Sequence, residues 1–513
     1  MTREESAKES LHFAGLVAAA VVVLTLPRLL THELWRDEAW LWLVVGDSRT
    51  LAEMSDNLAR NGQGFFFPLL CFFAKQVTSS PRAMQFVNLV LAGLGAFAFV
   101  RWAPLPRLER VFFVLGFLPF YEYAVISRHY AAGAWLLWLG CAAARGSRYQ
   151  PLGLGLALGL LCQTTVYGFI LAIAVAAGWL LELFLARRER PPLPRGSSLA
   201  GLGLGLGGAL AGLVQLVPEP GTSYAPGWRF DWQPQIAEKV AQMPFKAFLP
   251  WPRLGLNFWN TNLLDPWPAP LAAAGALVAV GATVFLWPRK AALLTWLVGA
   301  AGLAGFGYIK FIGVLRHDGH WWLLFVAALW LAGGYEGLAA AEAPGWRRPV
   351  FRALLLLHGL VGCYASWMDL RHPFSNAART AAEIRRLGLD QEPLLGYREP
   401  PAAPVALALG QPLFFPSRGV YAKYPDWGPV MHEMEPEELR CAARAFAASQ
   451  GRDIVMVMNR NLPPWPETSE ITAILGAIQA TEDYHLYRLH HDRLEKTAAP
   501  AACLNDPTRT ADH

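Results

Sequence analysis

The residues most able to do chemistry come early. Leu34-Trp35-Arg36-Asp37-Glu38-Ala39-Trp40 follows directly on the apolar run 13–30 and puts two adjacent carboxylates where a membrane helix would end. Such a pair can be solvated among lipid headgroups, flanked by the interfacial aromatics Trp35, Trp40 and Trp42. Facing a cavity, the same carboxylates take a proton or hold a metal. Three further clusters carry related chemistry: Lys75 with Arg82, Glu122 with Arg128, His129 and Tyr130, and Arg316-His317-Asp318-Gly319-His320. Any one of them reads equally well as an ion pair or as charges snorkelling from a helix end. Taken together they describe a site that grips an anionic headgroup and moves a proton beside it, since Arg binds phosphate oxygens bidentately and Lys adds a point charge.

The elements that must position these residues are membrane helices. The chain has 513 residues, 54% of them hydrophobic, 12% aromatic and only 16% charged, which excludes an ordinary soluble protein. Apolar runs predict about eleven spans within the first 367 residues, at 13–30, 84–101, 111–120, 130–144, 152–162, 166–186, 199–217, 271–287, 291–311, 321–341 and 350–367. Basic turns at Arg101, Arg107 and Arg110, at Arg145 and Arg148, at Arg187-Arg188-Glu189-Arg190, at Arg289-Lys290 and at Arg347-Arg348 are expected to face the cytoplasm. The N-terminus is then cytoplasmic, as a retained signal-anchor helix, and loops 31–83, 121–128, 218–268 and 312–320 are external, so that all four polar clusters fall on one side. Within the first loop, 37–60 and 65–77 are expected to lie along the membrane surface.

The fold class expected is an all-α polytopic membrane domain, 1–367, followed by a small α/β extracytoplasmic domain, 368–513. In that tail, 376–387 and 436–449 read as helices and 454–458 and 485–489 as strands. The tail holds 15 Lys and Arg against 19 Asp and Glu, whereas the whole chain holds 44 against 39. The basic excess therefore belongs to the membrane loops, which fits topology signals and excludes a nucleic-acid partner.

Other features carry less chemistry. Gly201, Gly203, Gly205, Gly207 and Gly208 suit close helix contact in lipid better than a phosphate loop. The six cysteines show no CxxC or zinc-ligand spacing and read as small buried thiols, with a Cys441 to Cys503 pair as the alternative in an oxidising compartment. Trp228, Trp232, Trp251, Trp259 and Trp267 in the third external loop read as interfacial anchors before sugar-stacking platforms. His485, His490 and His491 have no carboxylate or Cys partner at ligand spacing and read as surface histidines.

The acidic pair just past the first membrane helix, the aromatic segment ending in Lys75 and the acidic second external loop resemble the GT-C superfamily of polyprenyl-phosphate-sugar-dependent glycosyltransferases, nearest to bacterial members related to lipid A aminoarabinose transferases and protein O-mannosyltransferases. The resemblance covers roughly residues 10 to 190 in motif order. It implies a GT-C-like fold in the cell membrane, a sugar donor carried on a lipid phosphate, and inverting transfer of a hexose or pentose to an extracytoplasmic glycan, lipid or protein. It also implies an acidic first-loop base, at Asp37, with Glu38 or Glu122 orienting the acceptor. The metal requirement is left open by the sequence; if a divalent cation, Mg or Mn, takes part, Asp37 and Glu122 are the residues to hold it. Lys75, Arg82, Arg128, Tyr130, Arg316, His317 and His320 would bind the donor phosphate. This chain departs from the pattern where it reads Gln63-Gly64-Phe65-Phe66-Phe67-Pro68-Leu69 in place of a His/Pro-Pro-Leu-Tyr segment, and where Glu122 stands in place of Asp. A transporter or lipid flippase, and a non-catalytic envelope-assembly protein of the same fold, are the other classes compatible with the sequence.

Overall fold

The computed structural model describes residues 3–145, 150–185, 193–222, 227–338, 345–428 and 431–496. Arg148, the basic turn Arg187-Arg188-Glu189-Arg190, Ala341 and Cys503 lie outside the described residues. From the N-terminus come α1 (Arg3–Thr31), α2 (Arg36–Asp47), α3 (Leu51–Ala59), α4 (Phe66–Val77), α5 (Arg82–Trp102), α6 (Arg107–Val114), α7 (His129–Ala144), α8 (Gln150–Leu161), α9 (Val166–Leu185) and α10 (Arg195–Leu216). They are followed by α11 (Pro234–Phe248), α12 (Pro268–Leu286), α13 (Lys290–Ile309), α14 (Leu315–Ala332), α15 (Gly334–Leu338) and α16 (Arg347–Arg371). Among the described residues, seven helices are long and apolar enough to cross a membrane: α1 from Ser10, α5, α9, α10, α12, α13 and α16.

The other four expected spans take different forms. α6 has 8 residues, about 12 Å of helix, and gives way to a π-helical turn, Phe117–Glu122. α7 and α8 have 16 and 12 residues, and α14 opens on Arg316, His317, Asp318 and His320. α4, with 12 residues, reaches about 18 Å, well short of roughly 30 Å of hydrocarbon.

By their contacts the residues form two compact units. One comprises Met1–Leu30, Gly62–Pro218 and Ala225–Met368, the other Thr31–Asn61, Glu219–Tyr224 and Asp369–His513. The sequence boundary at 367 separates the tail, but the second unit also takes 31–61 out of the stretch expected to belong to the membrane part.

In the first unit, glycine lets helices touch through their backbones. A Cβ on Gly155 of α8 would lie 1.9 Å from the Gly201 carbonyl of α10, and one on Gly208 would lie 2.4 Å from the Gly159 Cα, so the glycine run is a packing surface as expected. Gly203 and Gly207 face open space. Phe99 stacks on Phe113 at 4.0 Å and Trp138 on Trp330 at 5.8 Å, which fixes α5, α6, α7 and α14 together. The buried Arg28 near the end of α1 donates to the Phe120 carbonyl (3.2 Å) and to Thr25 Oγ1 (3.0 Å), bonds Ser366 of α16, and lies 3.9 Å from the Phe120 ring centroid. The π-helical turn that ends in Glu122 is thereby pinned to two membrane helices.

The second unit is built on a six-stranded mixed sheet. Its strands are β1 (Leu394–Tyr397), β2 (Leu413–Phe415), β3 (Val420–Ala422), β4 (Ile454–Met458), β5 (Thr468–Ile474) and β6 (Tyr484–Leu489), in the order β3-β2-β1-β4-β6-β5. The two-residue period of a strand sends Leu394, Val455, Val457, Tyr484 and Leu486 to one face, beneath α17 (Ala377–Arg386) and α18 (Glu399–Leu409). Leu395, Tyr397, Ile454, Met456, Met458 and Tyr487 go to the other, beneath α19 (Pro436–Gln450). With both faces covered, the central strands need no polar side, which is why Ile454–Met458 is an unbroken apolar run.

Two expectations are corrected here. Residues 37–60 are not one surface-lying amphipathic segment: α2 and α3 break at Ser48-Arg49-Thr50, where the Thr50 hydroxyl caps α3 by accepting from Glu53 N–H at 3.1 Å. Glu38 through Val45 are all buried, and α2 packs against α18. A helix enclosed on every side has no polar face to lay on headgroups. Cys441, expected as a thiol, is in a disulfide, while Cys71, Cys141 and Cys162 are buried thiols and Cys363 an exposed one.

Candidate functional site

In the second unit the site begins at the N-terminus of α2. Asp37 and Glu38 lie in its first turn, where the helix dipole favours negative charge. Their fates differ. Glu38 is sealed from solvent, and its Oε2 accepts from Trp35 N–H (3.3 Å), half of a capping box, and from His32 Nε2 (3.1 Å). His32 Nδ1 meets Asp369 Oδ1 at 3.3 Å, and the ring rests on Phe374 at 4.6 Å. An imidazole whose two nitrogens both face carboxylates is an imidazolium. Burial works to lower the His32 pKa, but Asp369 and Glu38 overcome it and raise it to about 10. Glu38, expected to be catalytic, is thus spent on anchoring the helix start.

Asp37, by contrast, is only half-buried. Arg36 beside it donates its N–H to Glu482 Oε1 (2.9 Å) and a guanidinium N–H to Thr481 Oγ1 (3.3 Å). Burial pushes the Glu482 carboxyl up to about 7, with Arg36 opposing and Asp37 reinforcing the shift. Sequence reasoning missed Glu482, Asp369 and His32. Nothing in the spacing of residues 446 apart, as Arg36 and Glu482 are, announces a hydrogen bond.

In the first unit, Glu122 is buried and both its oxygens accept from the Trp259 indole, at 3.3 and 3.0 Å. The Arg316 guanidinium lies 5.4 Å from the Trp259 ring. Trp259, expected as a membrane anchor, is therefore part of the site, whereas Trp228, Trp232, Trp251 and Trp267 are exposed. The Tyr123 hydroxyl donates to the Arg316 carbonyl at 3.0 Å, and burial holds that phenol protonated by pushing its pKa up. Tyr130 stacks on Tyr123 at 5.3 Å and meets His317 and His320 edge-on at 5.9 and 5.8 Å, with Tyr167 stacked on both histidines. A Cβ on Gly319 would lie 2.7 Å from the Tyr123 hydroxyl, so a larger residue there would displace that side chain. Asn88 of α5 donates to the Tyr123 and Ala124 carbonyls at 2.9 and 3.1 Å, fixing the loop. Arg128 is buried and acts electrostatically on His317, and His129 bonds Gln63 at 2.8 Å.

Glu122, Arg128, Tyr130, Arg316, His317 and His320 thus gather into one aromatic and cationic web. Lys75 and Arg82 belong to the same unit. Lys75 lies in the last turn of α4, and Arg82, which opens α5, is among the lining residues of a cavity of about 990 Å³ walled mostly by apolar side chains, among them Phe66, Leu70, Phe73, Phe86, Val90 and Trp135.

Neither Asp37 nor Glu122 is in a group of three close His, Cys, Asp or Glu ligating side chains. Among the described residues such a group is Asp453, His490 and Asp492, with ligand atoms within 4.8 Å of one another. Arg488 (3.5 Å) and Lys496 (3.6 Å) already balance its carboxylates. The tail histidines are also not bare: His485 Nδ1 meets Glu470 at 3.1 Å and His490 meets Asp453 at 3.3 Å, partners that β-pairing brings together from distant positions.

Two solved structures of ArnT from Cupriavidus metallidurans, one bound to undecaprenyl phosphate and one in the apo state, are similar to this chain at 12% sequence identity and a TM-score of 0.45. The alignments cover 92% and 93% of this chain and 97% and 98% of those chains. The chain matches no protein-family model and no curated protein.

Proposed function

We propose that this protein is an integral membrane glycosyltransferase that moves a sugar from a polyprenyl-phosphate donor to an acceptor hydroxyl on the extracytoplasmic face. The observation that carries the reading is the apolar cavity between α4 and α5 with Arg82 as its one charged lining residue. A long hydrocarbon chain matches its walls and an anionic head matches that arginine. Asp37 takes the proton from the acceptor hydroxyl, whose oxygen attacks the anomeric carbon. The bond from that carbon to the phosphate oxygen breaks, and the lipid phosphate leaves with the electron pair, so inversion follows from a single displacement. Arg128, Arg316, Lys75 and Arg82 stabilise the charge growing on that phosphate, an effect strongest where water is excluded. Tyr130, His317 and His320 shape the aromatic surface beside it.

A transporter would instead place charges at mid-span and carry broken helices in repeats. The charges inside α1 and α9, Arg28 and Glu182, lie near the helix ends, and Glu182 pairs with Arg289 at 3.1 Å. Arg128→Ala and Arg316→Ala should each weaken donor binding by about 10- to 100-fold, the loss expected for a hydrogen bond to a charged group. Titration of a polyprenyl phosphate into the purified variants checks this, and unchanged affinity would remove both from the phosphate site.

The topology has its own test. The C-terminus should be extracytoplasmic, which the disulfide at Cys441 supports, because such bonds persist in oxidising compartments. An alkaline phosphatase fusion at the C-terminus should be active and a cytoplasm-dependent fluorescent reporter dark. The reverse result would place Asp37 on the wrong face for this chemistry.

A further inference from the structure

The sheet of the second unit reverses its winding at β1. From β1 the chain runs through α18 to β2 on one side, and after β3 it returns through α19 to β4 on the other, both parallel to β1. In open α/β sheets the carboxyl ends of strands at such a reversal bound a crevice that takes ligands. Here those ends carry Tyr397, the last residue of β1, with Arg398 after it, and Asn459 and Arg460 after β4. Asn459 N–H donates to the Tyr397 carbonyl at 3.3 Å, and Asn459 Oδ1 accepts from Arg398 N–H at 3.5 Å. Two guanidinium groups meet there. Arg398 pairs with Glu433, and Arg460 lies 3.6 Å from the same carboxylate oxygen and 5.3 Å from the Tyr397 ring centroid. Glu433 is 54% exposed, and Arg398 Nε is buried with no hydrogen-bond partner. Two cations therefore share one solvent-facing carboxylate, with an N–H donor left over.

The crevice is tied to the first-loop carboxylate through a short relay. Asn459 Nδ2 donates to the Thr481 carbonyl at 3.2 Å, Thr481 Oγ1 accepts from Arg36 at 3.3 Å, and Arg36 is the residue before Asp37. Resting on the glycosyltransferase reading above, we propose that this crevice is the acceptor subsite and that Arg398 and Arg460 read an oxyanion, phosphate or carboxylate, carried by the acceptor. Glu433 stands in for that anion in the free protein, and the acceptor displaces it. Planar guanidinium groups bind either oxyanion through paired N–H donors, and the low net charge left by one exposed carboxylate makes the exchange inexpensive.

The test uses the full-length protein in detergent and three probes, glucose 1-phosphate, glucuronate and glucose, with affinities measured by calorimetry. The wild-type protein should bind at least one charged sugar in preference to glucose, and whichever charged sugar binds better identifies the anion. Arg398→Ala with Arg460→Ala should weaken that binding about 10-fold or more. Glu433→Gln should strengthen it, a gain that misfolding cannot imitate. Equal binding of glucose, or unchanged affinity in both variants, overturns the proposal. Hydrolysis of a polyprenyl-phosphate sugar by the wild-type protein is followed separately. If the anions bind but no donor is turned over, the glycosyltransferase reading fails and the acceptor role falls with it, leaving an anion site. If donor is turned over and no anion binds, the crevice assignment alone fails.

Discussion

Asp37→Asn should reduce sugar transfer by about 10²- to 10⁴-fold, the range a positioned general base contributes, while leaving the protein abundant and donor binding near the wild-type value. The substitution keeps the volume of the side chain and removes its negative charge, and with it the capacity to accept a proton. The structure makes it a clean experiment, because the load of holding α2 falls on the neighbouring Glu38, which caps Trp35 N–H and pairs with His32. Single-turnover transfer from a radiolabelled donor, read beside donor affinity, is the measurement. Full activity in the variant would show Asp37 to be an interface residue and move the search for the base to Glu122 and Glu482.

His32→Phe should destabilise the protein by about 3–5 kcal/mol, the cost of leaving buried charge without its partner. Glu38 and Asp369 would both lose the cation that sits within 3.3 Å of them, in surroundings that water does not reach. The same cation makes stability depend on pH. Its folded pKa, about 10, lies above the roughly 6.5 of an unfolded histidine. The stabilisation is therefore complete below about pH 6.5 and is lost as the pH rises through 10. The unfolding midpoint in detergent should fall between pH 7 and 10 in the wild-type protein and fall less in His32→Phe. Parallel slopes for the two proteins would show that His32 is neutral in the folded state.

The comparison of these two neighbours shows what the sequence could disclose. Asp37 and Glu38 are indistinguishable as letters, and the acidic pair after an apolar run pointed to both. Only the burial of one and the partial exposure of the other separates them, and that depends on Asp369 and on Phe374, more than 300 positions away. Local patterns were legible where the period alone decides: the apolar run of α1, the strand Ile454–Met458, and the helix α19 ended by Gly451 at φ +62°. β1, β2 and β3 were missed because each is three or four residues long and supplies too little alternation to register. α2 was misread because a helix apolar on most sides looks alike whether lipid or protein covers it. Trp259 carried a signal, an aromatic in a polar loop, but its indole proton found Glu122 rather than a headgroup.

The Trp40 indole of α2 donates to the carbonyl of Pro425 at 3.0 Å, and the two residues are 385 positions apart. During synthesis, at roughly 5–20 residues per second, α2 leaves the ribosome roughly 20–80 s before the segment that covers it exists. For that interval the Trp40 indole N–H lacks its native acceptor. The waiting helix is a substrate for chaperones and proteases, so the yield of this protein should depend more on how fast the rest of the chain is delivered than on the final stability of either unit. Rare codons between the two segments would lengthen the exposure, and faster elongation would shorten it.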